Sequence, residues 1–549
     1  MRTAMSFAIL LVTTIAAPAA AQTRDQNVTW CTSRDSTADL RIGGCTALIQ
    51  AGKETASDLA IIFADRGLGY FDKTDYLKAK DDFDQSLRLN ASGALAIGGR
   101  ARVMAIQQQF DAAISEHTRA IGLMTAGEAY FQYWLRGMTY LDAKQYPEAL
   151  RDFTQAIAMK ADYGQAFFQR GRVYFAQGDY AKAIADNTAS LRLDATEYIA
   201  YYNRGLAYAK TSETDKAIAD FDALLKTDPT YIDGWVERGH VHMSKAAYPN
   251  ALADFNQALK LKPDNQEAVF SRARVYYSQG SYDLCIADNT TAIALDPTDY
   301  VAYSNRGLAY KAQGDYAKAL ADFDKALTMH PSYAAAMLDR ARTYFSMTQY
   351  DKSIDEFKRV ISANPKDGNA FYYRSLVYVA SDRLELALAD IQTALSLQPD
   401  DTADLTERAE IYQRLHLFQL ADSDYAAIMK IDPKRTYTAS LKALNRSMLN
   451  QDTEAVVDCN ALLAATPESH GINETCGMVY LKAGDATRAL SAFEKALPTA
   501  GATDGQPLYG RGLAKVKLGR AVAAKADLDK AITIDANIAA YFARFGLVR

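Results

Sequence analysis

The chain has 549 residues, 49% hydrophobic and 23% charged, with a net charge of −5 and a pI near 5.8. Glycine and proline are too sparse for a disordered or fibrous chain. The charge balance leaves no electrostatic footprint for nucleic acid, and no basic run addresses an anionic membrane surface.

The first element reads as a targeting signal. Arg2 supplies a positive end, Ala4 to Ala16 is nearly all apolar, and Ala19, Ala20 and Ala21 offer a small-residue cleavage site before Gln22. The apolar run is too short to span a bilayer comfortably, and no cysteine stands at the cleavage site to carry a lipid. Against the alternative of a buried N-terminal helix, this pattern makes residues 1–21 a signal peptide. It predicts a soluble protein secreted across the inner membrane into a bacterial periplasm.

Residues 22–59 form an N-terminal cap segment. Within it STADLRIGGCTALIQAG (36–52) reads as a helix with a Ser/Thr start and a Gly stop. Export makes disulfides permissible. Of the five cysteines, Cys31 lies where it can fold back on Cys45, and Cys459 and Cys476 fall on adjacent helices. A bridge across so short a loop stabilises by roughly 3 kcal/mol in the chain-entropy model. Cys285 stands at a position reserved for small residues and reads as packing. No CxxC or Cys/His spacing marks zinc or a redox motif, and neither a metal nor a cofactor is expected.

From residue 60 a 34-residue unit recurs. Fourteen units start at 60, 94, 130, 164, 198, 232, 266, 300, 334, 368, 402, 436, 470 and 505 and cover residues 60–538; only the third and last starts depart from the 34-residue spacing, following at 36 and 35 residues. Position 8 is small (Gly67, Gly137, Gly205), position 20 is usually Ala, position 11 is often Tyr and position 24 often Phe (Phe153, Phe221, Phe255). Two helices packed as a hairpin need small residues where their backbones come closest and large rings elsewhere. Proline at position 32 stops the second helix, and a pair such as Gly178-Asp179 turns between the helices. A longer period of 102 residues sits above the unit, since NRGLAY recurs at 203 and 305. Residues 130–231 and 232–333 therefore read as copies of a triplet. Position 7 is Arg in twelve of the fourteen units and position 23 acidic in thirteen. Two matched rows predict ion pairs between the first and second helices of a unit. The final segment, 537–549, places Ile538, Tyr541, Phe542 and Phe545 on one helical face and reads as the C-terminal capping helix.

Small at 8, Tyr at 11, Ala at 20, Phe at 24, Ala at 27 and Pro at 32 resembles the tetratricopeptide repeat (TPR) over nearly the whole mature chain. The unit at 436, with Arg446 at position 11, and the last two, which lack the proline, depart from the pattern. The resemblance implies an all-α, right-handed superhelical solenoid of helix-turn-helix repeats with capping helices at both ends. It also implies a concave face lined by the first helices, with ligand contacts from positions 2, 5, 6, 9, 12 and 13. Carried onto this chain, position 5 gives Trp134, Phe168, Tyr202, Phe270, Tyr372 and Tyr509. Position 6 gives Asn203 and Asn305, and position 9 gives Arg102, Arg172, Arg274 and Arg342. Rings supply contact area, Asn bonds a peptide backbone and Arg holds carboxylates. The lysine and asparagine clamp of the cytosolic chaperone-binding members is missing: Asn203 and Asn305 match its middle, but Phe168 and Phe270 stand where its first lysine belongs.

No HExxH, GxSxG, phosphate-cradling or dinucleotide motif occurs, and the repeats leave no room for a catalytic domain. The expected function is a non-catalytic periplasmic scaffold that binds a protein or peptide, in envelope assembly, secretion or polysaccharide export. The alternative is a module for peptidoglycan or exopolysaccharide, because aromatic grooves also stack sugars. No small-molecule ligand is implied.

Overall fold

The computed structural model describes residues 23–548 other than 126 and 502. The leader read at residues 1–21 lies outside them. Every regular element among the described residues is helical. They form two compact units, one ending at Val275 and the other beginning at Tyr276. Within each unit, consecutive helices pack on one another as an all-α solenoid. No helix among the described residues is long and apolar enough to cross a membrane.

One hairpin of the first unit shows how the sequence makes the fold. The helices Gly164–Ala176 and Tyr180–Leu193 are joined at Gly178, whose φ of 79° closes the turn. The Asp179 amide donates back to the Tyr174 carbonyl at 2.9 Å. The Asp179 side chain then caps the second helix, accepting from the Lys182 amide at 3.2 Å. In other turns a non-glycine residue takes the left-handed conformation, Thr348 at φ 57° among them.

The small and aromatic positions meet as the pattern requires. Phe153, Phe221, Phe255 and Phe323 are fully buried. A Cβ on Gly239 would stand 2.6 Å from the Phe255 ring, and one on Gly137 2.8 Å from Phe153. The ring of the second helix thus rests on bare backbone of the first.

The arginine row pairs as expected and does more. Arg170 donates to both carboxylate oxygens of Asp186 at 2.8 Å. Its third nitrogen reaches the Thr154 hydroxyl of the preceding hairpin at 3.1 Å. Arg204 with Asp220 and Thr188, and Arg306 with Asp322 and Thr290, repeat the arrangement. Each guanidinium also lies near aromatic rings, as Arg170 does between Phe167 and Tyr174. One side chain therefore joins the two helices of a hairpin and ties that hairpin to its predecessor.

The row breaks in the second unit, where position 7 is Lys442 and Asp458 pairs instead with Arg446. Beside that break the Cys459 and Cys476 sulfurs stand at bonding distance, with Cα atoms 5.5 Å apart. At the other end Cys31 and Cys45 do the same, with Cα atoms 4.7 Å apart. Cys31 lies on a helix the sequence pattern did not single out, Arg24–Thr32, which is polar apart from Val28, Trp30 and Cys31. Cys285 is buried and free.

Candidate functional site

The proposed ligand-contacting residues divide by burial. In the first unit Trp134 stacks on Phe131 at 5.5 Å and meets Tyr163 edge-on at 6.0 Å. Tyr202 is wedged between Phe221 and Tyr231, at 6.1 and 5.2 Å. Burial, with Glu237 nearby, pushes its phenol well above the usual tyrosine range. Its neighbour Asn203 has a buried amide nitrogen with no hydrogen-bond partner. Arg172 is exposed and donates to Gln169 at 2.8 Å. Phe270 is half-buried and Arg274 exposed.

Phe168 is a correction to the expected face. It is only 7% exposed and packs with Leu191 and Ala200. An aromatic ring at position 5 serves the core as readily as a ligand, so that position alone does not distinguish the two. Tyr509, at 6% exposure, is likewise packed, against Phe542 at 5.0 Å.

In the second unit Arg342 lies over the Tyr373 ring at 4.7 Å, and Tyr372 meets the same ring edge-on at 5.3 Å. Tyr373, at position 6 of its unit, thus joins two residues from positions 5 and 9. Asn305 is half-buried on the helix Tyr300–Ala312.

A spacious concave site lies in the first unit. A cavity of about 730 Å³ is walled by Leu95, Gly98 and Arg102 of the helix Ala94–Ile106, by the connection after Leu123, by Phe131 and Gln132, and by Arg34. Three of its apolar walls remain open to solvent: Leu95, Leu123 and Phe131 are 42%, 46% and 39% exposed. That much apolar surface around one hollow is a feature of ligand and partner sites.

The polar groups of this cavity are mostly donors. The Arg102 guanidinium lies 3.9 Å from the centre of the Phe71 ring. Burial depresses its pKa, partly opposed by Asp72. Among the described residues it makes no ion pair, unlike the arginines of position 7. Arg34 is exposed and likewise forms no side-chain ion pair among them. Behind the wall, His117 is 1% exposed, and burial pulls its pKa down to about 4, which keeps it neutral. Its Nδ1 holds the Gln132 carbonyl oxygen at 3.0 Å, so the Gln132 amide nitrogen turns toward Gly98. A Cβ at residue 98 would stand 2.2 Å from that nitrogen. Glu128, the cavity's carboxylate, is occupied by the Thr125 hydroxyl at 2.7 Å. Two guanidinium groups and an amide in apolar surroundings suit a carboxylate or another anion carried on an apolar ligand.

Sequence reasoning reached Arg102 through position 9 but not Arg34, Phe131 or Gln132. The available signal was the spacing of 36 residues before the third unit. The extra residues fall in the connection that walls the cavity.

These features define a helical repeat scaffold. The chain is a tetratricopeptide repeat protein. Tetratricopeptide repeat models match residues 135–198, 198–231, 300–333 and 338–402, and TPR repeat models match 239–280 and 273–314. Among solved structures it is similar to a tetratricopeptide repeat protein from Parabacteroides merdae, at 21% identity over 47% of this chain and 98% of that one, with a TM-score of 0.37. It is similar also to YrrB, a TPR protein with an unusual peptide-binding site, at 23% identity over 34% of this chain and 95% of that one, with a TM-score of 0.31. A third likeness is to the APC/C hetero-tetramer Cut9–Hcn1, at 13% identity over 89% of this chain and 98% of that one, with a TM-score of 0.36. No curated protein matches the sequence. The assignment rests on the family models and on the repeat geometry. Chains of this class are protein-interaction scaffolds.

Proposed function

We propose that this chain is an exported, non-catalytic scaffold that holds a protein partner by an acidic, apolar segment in the cavity bounded by Arg34 and Arg102. The observation that carries the reading is the pair of arginines without carboxylate partners beside three exposed apolar side chains. The Glu128 carboxylate of the same wall already accepts from Thr125, so the two guanidinium groups are the charges the site offers a ligand. Tyr202 and Asn203 in the first unit, and Arg342 and Tyr372 in the second, extend the contact surface each unit presents. The leader at residues 1–21 and the two cysteine pairs at bonding distance support a periplasmic location.

Selection from a displayed peptide library tests this. The expected winners carry an acidic residue or a free C-terminus flanked by apolar side chains, and Arg102→Met loses them while helicity is unchanged. Winners without acidic groups, or equal binding by Arg102→Met, refute it. The stacked pair Phe131 and Trp134 at the rim favours one alternative, a sugar platform, which predicts retention on insoluble peptidoglycan lost on Phe131→Ala.

A further inference from the structure

In the second unit three potential metal ligands converge: His470 Nε2 and one carboxylate oxygen each of Glu474 and Asp504, all within 4.8 Å of one another. His470 opens the helix His470–Lys482, and Glu474 follows one turn later on the same face. Asp504 comes from the connection that precedes the helix Gln506–Lys517.

Each ligand is already aimed. His470 Nδ1 lies 2.8 Å from the Ala496 carbonyl oxygen. A carbonyl only accepts, so Nδ1 carries a proton and Nε2 points the other way. Nε2 faces Asp504 Oδ2 at 2.9 Å and Glu474 Oε2 at 3.5 Å. Asp504 Oδ1 accepts from the Gln506 amide at 3.0 Å, which fixes Oδ2 toward the histidine. A backbone carbonyl behind the imidazole is the outer-shell arrangement that orients metal-binding histidines.

Two carboxylate oxygens and an imidazole nitrogen gathered this closely form a ligand set for a cation. No lysine or arginine among the described residues pairs with Glu474 or Asp504, unlike the position 23 carboxylates Asp186 and Asp220, which arginine holds. The spacing also fits an ion. Two ligands about 2.0–2.2 Å from a tetrahedral centre stand roughly 3.4 Å apart; the Glu474 distance of 3.5 Å matches this and the Asp504 distance of 2.9 Å is shorter.

We propose that His470, Glu474 and Asp504 bind one divalent ion of the zinc class, leaving a coordination position for water. One imidazole nitrogen with two carboxylate oxygens suits Zn²⁺ better than a hard ion that prefers oxygen alone. The ion ties the connection carrying Asp504 to the helix carrying His470 and so fastens one hairpin to the next. It takes the place of the arginine cross-tie, because position 7 of this hairpin is Cys476. The sequence showed no metal spacing because His470 and Asp504 are 34 residues apart, a full repeat rather than a local motif.

The test uses the full chain, stripped with a chelator, dialysed and titrated with Zn²⁺ by calorimetry and by thermal melting. Saturation at one ion per chain is expected, in wild type and Cys285→Ala alike, with a melting midpoint that rises with free Zn²⁺. His470→Gln and Asp504→Asn each weaken binding at least about tenfold. The asparagine side chain keeps an oxygen for the Gln506 amide, so that variant separates loss of the ligand from loss of the cap. His416→Gln, at an exposed turn of the same unit, binds like wild type. No saturable binding by the folded wild type, or undiminished binding by Asp504→Asn, overturns the proposal. A protonated His470 held by the two acids without an ion is the state those results would leave.

Discussion

Removing one partner of an arginine cross-tie should cost far more than removing both. Asp220 is 5% exposed and accepts two hydrogen bonds from Arg204, at 2.8 and 2.7 Å. Asp220→Ala deletes both and leaves a guanidinium, itself 17% exposed at the side chain, with only the Thr188 hydroxyl at 3.0 Å. Breaking one side of a buried pair costs about 3–5 kcal/mol, and residual solvent contact at Arg204 brings the expectation down to about 2–4 kcal/mol. Arg204→Met with Asp220→Leu removes both charges and both desolvation penalties, and should fall within roughly 1 kcal/mol of wild type. Repeat arrays need not unfold as one step, so the readout is hydrogen exchange of amides in the helices Tyr198–Lys210 and Thr214–Thr227. Urea melts followed by circular dichroism run beside it. Faster exchange should extend to the neighbouring hairpin carrying Thr188, because Arg204 ties the two together. An Asp220→Ala cost below about 0.5 kcal/mol, or a double variant as damaged as the single, refutes the claim that this pair is buried and uncompensated when split.

Other outcomes follow from single sites. Thr348 holds a left-handed φ of 57°, so Thr348→Gly should stabilise its hairpin by roughly 1 kcal/mol in urea melts. Glu407 is 8% exposed, has an unpartnered Oε1, and burial with Glu410 nearby raises its pKa from 4.5 to about 7. A carboxyl raised on folding contributes stability below its unfolded value that is lost as pH rises through the folded one, a window of pH 4.5 to about 7. Glu407→Gln should therefore flatten the pH dependence of melting there and raise stability at pH 8, by at most about 3 kcal/mol. Phe255 is fully buried against Gly239, and Phe255→Ala should cost about 3–5 kcal/mol by urea melting. Unfolding without reductant should leave Cys285 alone open to a thiol reagent; labelling of Cys31 or Cys459 under those conditions would contradict the paired cysteines.

The sequence by itself determined the class of fold, because the information is local and periodic. A small residue at position 8 and a ring at position 24 recur in register, and each unit repeats one hairpin solution that needs only its neighbours. The arginine and acidic rows were legible for the same reason: two rows with fixed spacing meet once the hairpin closes. What the rows did not reveal was their third partner, Thr154 for Arg170 or Thr188 for Arg204. That contact depends on how successive hairpins stack. The candidate sites lie further still from local pattern. Phe168 and Trp134 share position 5, yet one packs in the core and the other stacks at a rim. Arg102 makes no ion pair among the described residues, and His470 meets Asp504 one repeat away, beside unit spacings of 36 and 35 residues that interrupt the period. Periodicity fixes which face a side chain occupies. Only the path of the backbone between repeats decides what that face meets, as the contact of Arg204 with Thr188 shows.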